Sequence, residues 1–161
     1  MIDSIAKKNI ILICPTIYWS TRERAVVRDI LLLQQENAVA VVYCIRDSYL
    51  DLKAQELKVE RIYHRGGFVH PWFDWFKFSN LGQVIKKYDI ELVHLYVPSL
   101  VMPVAFFMRK FNQIPLLLSY FEKNHRSLKK FFAGPMIHRI DGILTPSDQI
   151  FGPLEKILNL P

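Results

Sequence analysis

Asn9-Ile10-Ile11-Leu12-Ile13-Cys14-Pro15 is the stretch on which the fold turns. Its apolar residues run without alternation and stop at a proline. A strand with one wet face alternates apolar and polar residues, whereas an unbroken run is what a strand covered on both faces needs. Lys7 and Lys8 ahead of the run resemble the charged start of a short signal peptide. Pro15 interrupts the apolar stretch, however, and no small-residue cleavage site follows. A buried first strand accounts for the same residues better.

Working outward, short apolar runs alternate with longer amphipathic segments. Residues 15–22 read as a loop. Residues 23–36 place Val26, Val27, Ile30, Leu31 and Leu33 at helical spacing. Residues 38–45 are a second buried strand, 47–58 a loop or short helix, and 59–63 a third short strand. Residues 64–71, with Gly66-Gly67, read as a loop. Residues 72–87 carry apolar side chains at helical spacing and end in Lys86-Lys87, where cations suit the helix dipole.

A fourth strand is expected at 92–96. Ser99 is expected to cap a helix running to Phe111, with Pro103 in its first turn. A fifth strand falls at 115–120, and a helix at 127–140 is broken or kinked near Gly134-Pro135. A sixth strand falls at 142–145, and Ser147 or Asp148 caps a last helix. This order predicts an α/β fold: a Rossmann-like, mostly parallel sheet of about six strands with helices on both faces. Such sheets bind ligands beyond the carboxyl ends of the strands, where the strand order reverses. The loops to inspect are therefore 15–22, 96–99, 120–127 and 145–148.

Composition narrows the classes. With 161 residues, 51% apolar and 22% charged, the chain is one globular domain rather than a disordered segment. Its net charge of +6 favours a partner carrying negative charge. The two cysteines, Cys14 and Cys44, sit in apolar runs with no second thiol at metal-ligand spacing. They read as buried thiols in a reducing compartment, and no metal site is expected. The stretch 95–108 lacks charge but holds two prolines and is shorter than the ~20 residues a spanning helix needs. A cytoplasmic protein is expected, peripheral at the inner face of the cell membrane.

The loops hold modest chemistry. The first has no glycine, so a dinucleotide fingerprint is missing, as is the P-loop pattern. Ser20 and Thr21 precede a helix, where they either hold an oxyanion or sugar hydroxyl or simply cap the helix. Leu92, His94 and Tyr96 share one strand face. His94 is either a hydrogen-bonded core residue or a site residue. Glu122 and His125 follow the fifth strand and either accept a proton from an attacking hydroxyl or belong to a solvated loop.

From Arg109 to Arg139 there are seven basic residues, among them Arg126, Lys129 and Lys130, against the single acid Glu122. Phe106, Phe107, Phe111, Phe131 and Phe132 lie among or beside them. Basic heads beside aromatic bodies suit either a membrane surface or an amphipathic helix packed on the sheet. Trp72, Phe73, Trp75, Phe76 and Phe78 form a second aromatic segment. It suits a bilayer surface, a hydrophobic acceptor or another domain.

Several segments together resemble the N-terminal domain of a GT-B glycosyltransferase of the retaining type, group 1 or family 4. Glu91-Leu92-Val93-His94-Leu95-Tyr96 resembles the family's Asp-Ile-Val-His-x-His strand. Ile114-Pro115-Leu116-Leu117-Leu118-Ser119 resembles its Ile-Pro-Val-Val-x-Thr strand, and Asp141 to Ser147 its Ala-Asp-x-Ile-x-x-Ser segment. Glu23-Arg24 before an apolar helix resembles its Gly-Gly-x-Glu-Arg opening. The chain departs where Ser20-Thr21-Arg22 replaces the glycine pair, where Tyr96 replaces the strand's second histidine, and where Phe121 stands at the histidine after the fifth strand.

The resemblance implies that residues 1–161 form the acceptor-side half of a two-domain enzyme, with the C-terminal donor domain absent. It implies a sugar moved from a nucleotide-sugar donor to a cell-surface polysaccharide or glycolipid acceptor, and a chain inactive alone. No cofactor is expected; the donor is a co-substrate held mainly by the missing domain, and family members of this type need no bound metal. The expected substrate contacts are Ser20, Thr21, Arg22, His94, Tyr96 and Ser147, with Glu122 and His125 as catalytic candidates. Trp72, Trp75, Phe76, Arg126, Lys129, Lys130 and Phe131 are the candidate membrane or acceptor contacts. The expected partners are a sugar or lipid-linked acceptor, the enzyme's own C-terminal domain and an anionic membrane surface. The alternative is a stand-alone Rossmann-like module binding a partner protein or anionic membrane without catalysis. Nucleic-acid binding is disfavoured, since no helix-turn-helix, zinc-finger or RNA-recognition signature is present.

Overall fold

The structure is a computed structural model that describes residues 8–64, 78–111, 113–121 and 139–146. Its strands are β1 (Asn9–Ile13), β2 (Val39–Cys44), β3 (Glu60–Tyr63), β4 (Leu92–Leu95), β5 (Leu116–Ser119) and β6 (Gly142–Leu144). Its helices are α1 (Thr21–Gln35), α2 (Tyr49–Glu56), α3 (Leu81–Lys87) and α4 (Val101–Met108). The strands form one sheet in the order β3-β2-β1-β4-β5-β6, and every pairing is parallel. The expected six-stranded Rossmann-like sheet is therefore present.

Consecutive residues Ile11, Leu12, Ile13 and Cys14 are all fully buried, so both faces of β1 are covered, as its unbroken apolar run requires. Right-handed crossovers place α1 and α2 on one face and α3 and α4 on the other. Consistent with this, α1 packs beside α2 and α3 beside α4. The core is continuous through the sheet, from Val26 and Ile30 of α1 to Val104 and Met108 of α4.

Three helices pass to the next strand through one device. Asn37, Lys58 and Asp89 adopt left-handed backbone angles, with φ of 56°, 56° and 48°. Behind each, the chain closes the wide hydrogen bond of a Schellman-type turn: Ala38 N–H to Leu33 O, Val59 N–H to Ala54 O and Ile90 N–H to Ile85 O. None of the three positions is glycine.

Of the two readings of residues 47–58, the short helix is the one present: α2 is capped by Ser48, whose hydroxyl accepts the Asp51 N–H at 3.2 Å. Other expected elements are corrected. Ser99 does not cap the next helix: Pro98–Leu100 forms a 3-10 turn that runs directly into α4. The fixed φ of Pro98 starts the helical path one residue before Ser99. Pro103 stands in the first turn of α4, where its missing N–H is not needed. That helix stops at Met108 rather than Phe111, because Arg109 and Phe111 make tight bonds back to Phe106 O and Met108 O. The helices expected at 127–140 and after Ser147, and most of the aromatic segment 72–78, lie outside the described residues.

Candidate functional site

The strand order reverses between β1 and β4, so the crevice expected of such sheets opens beyond Cys14-Pro15 and Tyr96-Val97. The two edges are tied where Tyr96 N–H donates to Ile13 O at 3.0 Å.

On the β1 side, the loop and the first turn of α1 are organised around Glu23. Its carboxylate is buried and accepts from Ser20 N–H at 2.6 Å, from Ser20 Oγ at 2.5 Å, and from Thr16 Oγ1. Ser20 caps α1 in return, so the pair forms a capping box. Burial by itself raises the Glu23 pKa, but the hydrogen bonds from Ser20 and Thr16 outweigh it. The group is held below the ordinary carboxylate value and stays charged. Ser20 is thus engaged in capping, Thr21 is the first residue of α1, and Arg22 follows it with its N–H on Ser20 Oγ at 3.3 Å. Behind Glu23 lies Cys14, whose thiol is pushed up by burial and then by the Glu23 charge. Cys44 is pushed up to about 12, by burial first and then by Asp51. Both thiols are protonated and unreactive at neutral pH.

On the β4 side, four side chains form a continuous polar line. Tyr96 Oη donates to Asp29 Oδ2 of α1 at 2.6 Å. The Tyr96 proton is thereby used, so the 3.0 Å contact with His94 Nδ1 has the histidine as donor. His94 Nε2 then carries no proton and accepts from Ser119 Oγ at 2.8 Å. The protons point one way, from Ser119 through His94 and Tyr96 to Asp29. His94 and Ser119 are buried, and Tyr96 is completely so. The His94 and Tyr96 rings lie 4.2 Å apart. Burial lowers the His94 pKa to about 4, against the opposing pull of Asp29, so the imidazole is neutral. Burial and the Asp29 charge both raise the Tyr96 pKa.

The structure thus brings His94 and Tyr96 together as the shared strand face requires, and it sets Ser20, Thr21 and Arg22 on the neighbouring edge. Glu122, His125, Ser147, Trp72, Trp75, Phe76, Arg126, Lys129, Lys130 and Phe131 lie outside the described residues. Glu23 and Ser119 enter the sequence reading only within motifs of the resemblance, not as site residues, and Thr16 and Asp29 carry no expected role. The Ser20-x-x-Glu23 spacing is a capping-box signature and could have found Glu23. Asp29 carries no such local mark.

Arg139 belongs to the fold rather than to a solvated basic face. It donates to Phe111 O, to Ile114 O and to the Asp141 carboxylate at 2.9, 2.7 and 2.9 Å. Among the described residues no helix is long and apolar enough to cross a membrane, and no group of His, Cys, Asp and Glu gathers to hold a metal ion.

This is the architecture of one half of a GT-B glycosyltransferase. No protein-family model and no curated protein matches the sequence. Among solved structures, the chain is similar to a glycosyltransferase from Rickettsia africae ESF-5, with TM-score 0.74 and 16% identity over 97% of this chain and 41% of that one. It is also similar to the lipopolysaccharide outer core galactosyltransferase WaaB, with TM-score 0.67 and 14% identity over 93% of this chain and 42% of that one. A third similarity is to Acinetobacter baumannii MurG, with TM-score 0.58 and 12% identity over 86% and 41% of the two chains. The chain spans about two fifths of the length of each, and identities at this level establish the fold alone.

Proposed function

We propose that the chain is the acceptor-side half of a retaining, family 4 type glycosyltransferase that acts at the inner face of the cell membrane. The acceptor is a cell-surface polysaccharide or glycolipid and the donor a nucleotide sugar held mainly by a companion domain. In the assembled enzyme the acceptor oxygen bonds to the anomeric carbon. The bond from that carbon to the nucleotide diphosphate breaks and its electron pair leaves with the diphosphate. The acceptor proton passes to a base, for which Glu122 and His125 are the candidates.

The observation that carries this reading is the partial overlap: 97% of this chain lies on 41% of the Rickettsia glycosyltransferase. The crevice adds support, because a stiff floor at the reversal point is what orientation of an acceptor requires. In this reading Thr21 and Arg22 meet the substrate from the rim, and Ser147 is a further candidate contact. Ser20 holds the loop, and the buried His94 and Tyr96 support the crevice from beneath.

The test is transfer itself. The isolated chain, incubated with nucleotide sugars and sugar or polyprenyl acceptors, is expected to give no product. Joined to a donor-side domain encoded downstream, it is expected to transfer. Turnover by the isolated chain would overturn the half-enzyme reading.

A further inference from the structure

The loop after β1 carries an exposed aromatic arch. Thr16 Oγ1, Ser20 N–H and Ser20 Oγ all bond the buried Glu23 carboxylate. Ile17, Tyr18 and Trp19 are therefore pinned at both ends on one anion. Side chains that folding normally hides are held outward here: Tyr18 is 78% exposed and Ile17 37%. The Trp19 ring leans on Tyr49, the first residue of α2, with centroids 5.7 Å apart and planes tilted by 38°. Tyr49 is itself 58% exposed, and the Ser48 cap fixes its backbone.

A polar loop would make the same connection without showing rings to water, and exposed apolar surface held in place marks a binding surface. Because the arch is already ordered, a ligand loses little by settling on it. The surface stands at the carboxyl ends of β1 and β2, beside the point where the strand order reverses. It also stands where the chain departs from the glycine pair of the family it resembles, so it belongs to these residues rather than to that fold.

Ring geometry selects the occupant. Two rings in contact with each other cannot sandwich a flat base, and their 38° tilt makes a shallow trough rather than a slot. A pyranose is puckered, and its axial C–H bonds turn weakly positive hydrogens toward the negative faces of aromatic rings. Its hydroxyls point outward, where tyrosine O–H and tryptophan N–H groups bond them; an acyl chain makes no use of those edges. We propose that Tyr18, Trp19 and Tyr49 form a stacking platform for one pyranose ring of the acceptor and select sugars with an unbroken C–H face. The identity of the ligand rests on the acceptor-side reading above; the arrangement of the rings does not.

The test is saturation-transfer NMR of the isolated chain with methyl β-D-glucopyranoside and methyl α-D-mannopyranoside. The first has an unbroken C–H face; the second carries an axial oxygen on each face. The glucoside is expected to bind with a dissociation constant on the order of 10 mM, its ring C–H protons receiving the transfer, and the mannoside several-fold more weakly. Trp19→Ala and Tyr49→Ala should each weaken glucoside binding roughly fivefold, and Tyr18→Ala about threefold. Leu32→Ala trims another exposed apolar side chain, on α1, and should change nothing. The Tyr18 side chain is so exposed that its loss leaves folding intact, and thermal midpoints check the other two variants. No glucoside binding at roughly 50 mM overturns the proposal, as does equal binding of the two sugars. Binding that survives both Trp19→Ala and Tyr49→Ala overturns the platform and leaves the acceptor-side reading standing, since the transfer assay judges that reading by itself. Displacement of the glucoside by an equal concentration of uridine would assign the rings to a base and overturn the proposal too.

Discussion

Tyr96 and Asp29, 67 residues apart, share a 2.6 Å hydrogen bond that fixes the direction of every proton behind it. Because the phenol gives its proton to Asp29, its oxygen must receive one from His94 Nδ1. The bare Nε2 must then receive one from Ser119. A single contact between α1 and the end of β4 thus sets the tautomer of a buried imidazole.

Tyr96→Phe removes the middle of that line. The buried His94 Nδ1–H loses its acceptor and Asp29 loses a donor, and an orphaned buried group costs about 1–3 kcal/mol. Denaturant unfolding should show a loss of about 2 kcal/mol. Nitrogen-15 NMR of the imidazole should find Nδ1 protonated and Nε2 bare in the parent chain. A protonated Nε2 there would contradict the direction assigned.

Stability should depend on pH through His94. Its folded pKa is lowered to about 4 from 6.5, so between those values the unfolded chain binds more protons than the folded one. The contribution is complete above about pH 6.5 and is lost as pH falls toward 4. It amounts to about 3 kcal/mol. Unfolding free energies measured across this range should fall with acidity, and His94→Gln should flatten the slope. An unchanged slope in that variant would assign the effect to other groups.

Glu23→Ala should be among the costlier single changes in the first loop. It strands the hydroxyls of Thr16 and Ser20 and the Ser20 N–H, and it opens the capping box. A loss of about 3 kcal/mol is expected from the orphaned donors and the lost cap. Glu23→Asp keeps the charge but not the reach, so it should recover only part of the loss. Urea midpoints compare the two.

Lys58→Gly should stabilise the chain. Lys58 holds a φ of 56° at the end of α2, a region costly for a side chain with a Cβ. Glycine removes that cost but adds freedom to the unfolded state, leaving a net gain of about 0.5 kcal/mol. A small rise in the thermal midpoint is the expected reading; a fall would mean that the Lys58 side chain contributes more than its backbone costs.

The strands were legible because their signal is local. The apolar runs of β1, β2 and β5 have no polar face, and only a sheet covered on both sides accommodates them. Their ends shift by a residue or two, as helix and strand ends do. Helix α2 was undecided in sequence because it is short and turns an aspartate, Asp51, inward to meet Arg61 at 3.0 Å. The helix-to-strand turns were hidden because Asn37, Lys58 and Asp89 take a conformation normally announced by glycine. His94 and Tyr96 could be placed on one face by alternation. Their connection to Asp29 could not, since it exists only once α1 lies against β4.

The sheet order has a consequence for biosynthesis. β1 pairs with β2 on one flank and with β4 on the other, so Ile10 waits for both Ala40 and Leu92. A nascent chain leaving the ribosome must keep this apolar segment half-covered until the residues around Leu92 have emerged. Pairings so distant along the chain form slowly and expose sticky edges meanwhile. Placing the earliest strand in the middle of the sheet prolongs that exposure.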